Sequence, residues 1–557
     1  MEYTRLRVSK SRGGYGESKA WNRTTMIMIQ GVGKLFATFL ESIMRQETFA
    51  VSWRSLLRYL EAYLERQSLE VCATVFQALR QILSKFDGTN RIGKPSVDLI
   101  WNLWATGNPA LVQTFDNADN NNLDALIAYI QSFSELYQLI EADLTFERVE
   151  IVLENLRTCL SNSVTSTYSA DIDILTLLQA QVLDCIQLVR ADIPGVPSIL
   201  ICLLADIVSK PYRESPPMPG VRQSSFVAIS KAAMDLLQSY ITRHKRDRDL
   251  FTSGALTKSI EALVIPLDLK YKWRLEGKQP STWRKATSTA IAVLEEALPV
   301  IENLAVDEEI IQELWSSIVK VTNGIAAADC PLASPSADIL ADEDFDFSAF
   351  TRLRNLVTPN LGSTLISDKT RQTYTSSIFT NSIIHTPHRQ DLPLPNQEPL
   401  DGLYATHMGR TYDPPPTRRS KMSYMLIDEL FALVAVHHDA DRSPERIKLA
   451  QAAAPFLILR AAIVLKAYIA DQPLRGRMPQ LMSQKRELIY IVRKLVELDS
   501  EPRAIPDTQG VTSEYKKHLH RLFPLVTRAI GVAGRDEMVL AELQRVLEVV
   551  GEGFGVG

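Results

Sequence analysis

Few residues in this 557-residue sequence have the types and spacing that chemistry requires. His437, His438, Asp439 and Asp441 stand together in the run HHDAD and could in principle ligate a metal. Neighbouring side chains on a helix diverge by about 100°, so His437 and His438 could share an ion only where the backbone leaves the helix. A helix C-terminus is the simpler account, because histidine there complements the dipole. Ser443, Pro444 and Glu445 then read as the N-cap, first position and first-turn acid of the next helix. His518 and His520 sit two apart, facing different sides of an expected helix, and are expected at the surface. The run GVGKLF, 31–36, has the look of a phosphate loop. It lacks the first glycine of that motif, the hydroxyl residue after the lysine and a preceding strand. GxSxG and HExxH are absent. The expectation is a protein without catalytic residues, metal site or cofactor, and not an enzyme.

The cysteines Cys72, Cys159, Cys185, Cys202 and Cys330 are odd in number, widely spaced and mostly embedded in apolar segments, with no CxxC pair. That is the usage of a reducing compartment, and the expectation is buried small side chains. A net charge of −4 argues against a dedicated nucleic-acid binder, which needs a visible basic excess. With 46 % hydrophobic and 23 % charged residues the chain groups with globular proteins. Its length exceeds what one core usually organises, so several domains or an extended array are expected. Residues 1–24 read as a basic, disordered tail rather than a secretory signal, for they lack an apolar core. No run supplies the ~20 continuous apolar residues of a membrane span. The most apolar, 199–208 and 452–465, are short or interrupted by Asp206 and Arg460.

The elements that must position these residues are helices. Trp53, Leu56, Leu57, Leu60 and Leu64 recur at helical spacing, as do Val71, Val75, Phe76, Leu79, Ile82, Leu83 and Phe86. Trp283, Ala286, Ala290, Val293, Leu294 and Ala297 trace a further stripe behind Ser281 and Thr282, either of which can cap it. Such segments return every twenty to thirty residues or so, and alternating strand patterns are nearly absent. This rhythm predicts an all-α fold: an α-solenoid of degenerate HEAT- or armadillo-like helix pairs. Between 331 and 420, which hold ten of the 28 prolines, the pattern dissolves. The expected organisation is a tail at 1–24, a helical-repeat region at 25–330, a largely mobile Pro-rich insertion with one or two short helices at 331–420, and a C-terminal repeat region at 421–557. Within the insertion, helices are expected near 345–357 and 370–384.

Basic residues cluster at helix ends. Lys270, Lys272, Trp273 and Arg274 interleave charge with aromatic surface and could meet a partner or anionic lipid, as could Arg475 and Arg477. A solvated helix end explains the same residues. The segment ADILADEDFDFSAF sets five carboxylates beside Phe345, Phe347 and Phe350. It suits either a basic partner or a helix start with acids at its positive end.

The stretch around Arg475 carries a resemblance. Two apolar helices meet at a corner with Tyr468, Asp471, Leu474, Gly476 and Pro479, followed by Glu487, Leu488, Ile489, Val492 and Leu495. This hairpin resembles the C-terminal region of the Mon2 family, large helical scaffolds related to the Arf guanine-nucleotide exchange factors. It departs from the family pattern at Gln480, Leu481 and Met482. Weaker likeness covers the Trp283 helix and the region from Trp53 to Leu83.

The resemblance implies a chain corresponding to the C-terminal third of a longer protein. It also implies a non-enzymatic scaffold for vesicle-mediated transport between endosomes and Golgi, peripheral on those membranes from the cytoplasmic side. Its implied partners are a Dopey-type protein, a phospholipid flippase and an Arf-like GTPase, with no nucleic acid. A helical-repeat adaptor of another class, in nuclear transport or on RNA, is the alternative the residues leave open.

Overall fold

A computed structural model describes residues 15–65, 68–86, 92–111, 122–163, 173–213, 225–273, 280–301, 306–327, 336–393, 397–407, 413–437, 444–476, 478, 480–507, 514–534 and 536–553. Among them the fold is all-α, with no strand and only isolated bridges at His385–Pro416 and Ala435–Ser500. The chain divides into two compact units, Met1–Ala262 with Leu275–Thr282 and Leu263–Arg274 with Trp283–Gly557. That division falls inside the expected 25–330 region, and the expected boundary at 331 lies within the second unit.

The helices of the first unit are α1 (Tyr15–Met44), α2 (Phe49–Leu64), α3 (Leu69–Leu83), α4 (Lys94–Thr106), α5 (Leu123–Ile140), α6 (Phe146–Ser161), α7 (Leu177–Leu188), α8 (Val196–Arg213), α9 (Val227–His244) and α10 (Arg248–Thr252). They stack in two rows: α3 packs between α1 and α5, which in turn meets α7, while α2, α4, α6 and α8 form the second row. This is an α-solenoid, because interior helices such as α3 and α5 pack on the helix before them and on the helix after them in the row. The sequence of α3 fits that position, with Val71, Val75, Phe76, Leu79, Ile82 and Leu83 all buried. Gly33 in α1 permits the close approach, since a Cβ there would lie 2.7 Å from that of Ala78. Aromatic residues span the rows. Trp104 stacks on Tyr129 at 4.7 Å, its indole N–H donates to the Tyr129 carbonyl and the Tyr129 hydroxyl donates to the Trp104 carbonyl. Both polar tips are thereby satisfied inside the core.

Helix α11 (Ala255–Asp268) carries the division between the units. The second unit continues with α12 (Thr282–Ile301), α13 (Glu308–Ala326), α14 (Ser336–Leu361), α15 (Asp368–Asn381), α16 (Ser420–Val434), α17 (Pro444–Asp471), α18 (Met482–Glu497), α19 (Lys517–Ala533) and α20 (Glu537–Gly553). Here α13, α15, α17 and α19 form one row; α14 packs on α16 and α18 on α20 in the other.

Three sequence expectations change. The stretch 331–420 carries two packed helices, and α14, of 26 residues, is far longer than the expected 345–357. Its weak apolar periodicity hid it, because its acids are met by cations of the same unit. Among the described residues two helices are long and apolar enough to cross a membrane, Ala20–Met44 and Pro444–Leu474. The second is a core helix, and the charges that interrupt it, Arg460 and Lys466, are themselves buried. His518 and His520 are not surface residues: both are buried. The His518 Nδ1 lies 3.0 Å from Ser500 Oγ and Nε2 lies 2.8 Å from the Leu495 carbonyl, so its ring joins α19 to α18. Burial pushes its pKa down to about 4.

Candidate functional site

The polar residues that could carry function gather in the second unit as two buried networks and a corner. The first network is built on the acidic segment of α14. After α11 the chain turns through Tyr271, which holds φ +62°. For a bulky residue this is a strained conformation. The turn places Lys270 inside, 3.8 Å above the Trp283 ring and ion-paired to Asp346. Arg419 joins the same carboxylate and donates to the Ala326 carbonyl at 3.1 Å, closing the C-terminal end of α13. Burial lowers Lys270 to about 8 and raises Asp346, against the opposing pull of their mutual attraction. Asp342 accepts from the Tyr271 hydroxyl at 2.7 Å and from Arg284 Nε at 3.0 Å. Glu343 takes the Met422 amide at 2.8 Å, and Asp344 pairs with Lys421. Phe345 meets Trp283 edge-on at 5.5 Å. The acidic-aromatic segment therefore docks on cations of its own chain.

The second network lies behind the corner between α17 and α18. Arg460, 1 % exposed, donates to Ser382 Oγ at 3.1 Å and pairs with Glu487. His385 reaches Glu487 through Nδ1 and Ser483 Oγ through Nε2 at 3.0 Å. Burial would raise Glu487, but Arg460 and His385 more than offset it and hold the carboxyl below its ordinary range. Beside it, His407 Nδ1 stands 2.9 Å from Asp391 and Nε2 stands 3.8 Å from Asp471.

The corner itself needs its glycine. Gly476 adopts φ +57°, which a side chain resists. Tyr468, Asp471 and Glu487 are buried. Leu474 is 52 % exposed and, with Met478, Leu481 and Met482, leaves an apolar tip in solvent.

Of the basic candidates, Lys270 cannot greet a partner or RNA, because it is buried against Asp346. Arg475 is likewise only 4 % exposed and pairs with Asp413. Lys272 is exposed and Trp273 half-buried. Arg274, Arg477 and Pro479 lie outside the described residues, as do Cys330, His438, Asp439 and Asp441. His437 follows α16 and contacts Arg446. Both line a cleft of about 710 Å³ with Arg354 and the buried Glu429, whose carboxyl burial raises. No cluster of three or more His, Cys, Asp or Glu fit for a metal occurs among the described residues. Cys72, Cys159 and Cys185 are buried thiols, and burial lifts Cys72 to about 11 and Cys185 to about 12. The run 31–36 is the interior of α1, so its amides are spent on the helix.

No family model matches this sequence. A 443-residue stretch, 76 % of the chain, is 20 % identical to the Schizosaccharomyces pombe protein named Protein MON2 homolog. The chain is distantly related to the Mon2 family. It spans 26 % of that relative's length. Sequence reasoning found the helical corner through its Gly and Pro spacing. It missed His385, Arg460 and the tip residues Met478, Leu481 and Met482, since nothing local distinguishes a charge or methionine that packs from one that faces water.

Proposed function

We propose that this chain is a non-enzymatic scaffold in vesicle-mediated protein transport between endosomes and the Golgi, peripheral on their cytoplasmic faces. The similarity to a Mon2 homologue over 76 % of the chain supports this reading. Stacked helices in both units fit it, since solenoids recognise other macromolecules over long surfaces. A Dopey-type protein, a phospholipid flippase and an Arf-like GTPase are the partners to test. The apolar tip of Leu474, Met478, Leu481 and Met482 is the contact surface, in place of the sequestered Lys270 and Arg475.

The test is a pull-down from low-salt extract with the 557-residue chain and with a Met478→Glu, Met482→Glu variant. A Dopey-type partner retained by the first and lost from the second supports the reading. Retention by neither would refute the assignment, and retention by both would move the contact elsewhere. Nucleotide release from an Arf-family GTPase, stimulated by this chain alone, would overturn the non-enzymatic part.

A further inference from the structure

Ser483 lies in the first turn of α18, and Glu487 follows on the same face four residues later. His385, from the segment after α15, reaches both. That segment is held by the Thr417 amide, which donates to the Ile384 carbonyl at 2.8 Å. Burial favours the neutral acid at Glu487, but Arg460 and His385 outweigh it and the carboxylate stays ionised. An ionised Glu487 only accepts, so in the neutral ring His385 Nδ1 donates to it. Nε2 then keeps its lone pair, and the Ser483 hydroxyl, 3.0 Å away, donates to it. A hydroxyl on a ring nitrogen, with the ring oriented by a carboxylate, is the arrangement that makes serine a nucleophile. Ser483 is half-buried next to the exposed Met482, so the site is reached from solvent.

We infer that Ser483 is a covalent modification site that takes a short acyl group from an ester or thioester, with His385 as its base. One group per chain is a modification and not turnover, so the scaffold reading stands beside it. In the step, Ser483 Oγ attacks the acyl carbon while its proton passes to His385 Nε2. The bond from that carbon to the alkoxide or thiolate breaks, and the leaving group carries the proton away. The first-turn amides of α18, which no side chain caps, are the donors on hand for the oxyanion. His385 and Glu487 line a cavity of about 40 Å³ whose apolar wall is Ile463, Val464, Ala467 and Leu488. It has room for about three waters, the size of an acetyl group. An acetyl group there displaces the water that deacylation needs, so the ester persists. A long acyl chain does not fit.

Exposure of the 557-residue chain to p-nitrophenyl acetate tests this. One equivalent of p-nitrophenolate is expected, with a single acetyl group on Ser483 in peptide mass spectra. Ser483→Ala should remove both while circular dichroism and melting match the parent. His385→Gln should slow the reaction by about a hundredfold or more. A fluorophosphonate, which needs no acyl cavity, should label the same serine as fluoride leaves with the proton. p-Nitrophenyl octanoate should react more slowly than the acetate, by roughly tenfold or more, because its chain overfills the cavity. An unmodified Ser483 with either reagent, acetylation indifferent to His385→Gln in a chain that melts like the parent, or continuous release of p-nitrophenolate would overturn the proposal. An octanoate rate equal to that of the acetate would overturn its limit to short acyl groups.

Discussion

Among the described residues of the first unit, every buried polar side chain is neutral, whereas the second unit buries Lys270, Asp346, Arg419, Arg460, Glu487 and His518. The two units stack helices by the same rule and fasten them differently. In the first, Asn108 donates a 3.0 Å hydrogen bond to Asn155 Oδ1 and Tyr129 locks to Trp104, while the ion pairs between its helices, such as Arg148–Asp98 and Arg157–Asp206, are partly exposed. In the second, the ion pairs that join elements include fully buried ones, Lys270 and Arg419 with Asp346 and Arg460 with Glu487. Buried pairs add little net stability because desolvation offsets their attraction, yet removing one partner strands the other. The first unit is therefore sensitive to volume and the second to charge.

The sharpest way to break this contrast is Glu487→Ala, which strands Arg460 and should cost about 3–5 kcal/mol by denaturant unfolding. Replacing Arg460 and Glu487 together by methionine should return most of that loss. A loss as large in the double variant would mean that the pair contributes directly rather than by specifying position.

Acid should separate the units next. His518 has its pKa held down to about 4, against 6.5 when unfolded. The unfolded state therefore binds the proton first as pH falls. The stabilisation is present above pH 6.5 and lost between 6.5 and 4, about 3 kcal/mol in all. Hydrogen exchange at pH 5 should rise in α19 and hold steady in α3; equal loosening in both would contradict the contrast.

In the first unit, Asn155→Ala leaves Asn108 short of a neutral partner and should cost about 1–3 kcal/mol, below the Glu487→Ala value. Gly476→Ala in the second unit should cost about 1 kcal/mol through the positive φ alone. Arg352→Ala sharpens the point from the other side. It removes a pair with Glu295 whose side chains are 54 and 38 % exposed, and should change stability by less than about 0.5 kcal/mol.

The helical stripes of α2, α3 and α12 were legible because an interior helix repeats its apolar residues every three or four positions. The corner at Gly476 was legible because glycine and proline act on the backbone locally. Helix α14 was read at half its length, since its cohesion comes from Asp342, Glu343, Asp344 and Asp346 meeting residues 58 to 79 positions away. The basic patch at Lys270 was misplaced for the same reason: the carboxylate that holds the lysine inside, Asp346, stands 76 positions away.

By itself the sequence determined the all-α class, the succession of amphipathic helices and the corner, because periodicity and backbone restriction are properties of neighbouring residues. Tertiary structure alone decided which charges are hidden and where the units divide. Burial depends on what the folded chain brings alongside a residue, and in this protein the deciding partners lie tens of positions away.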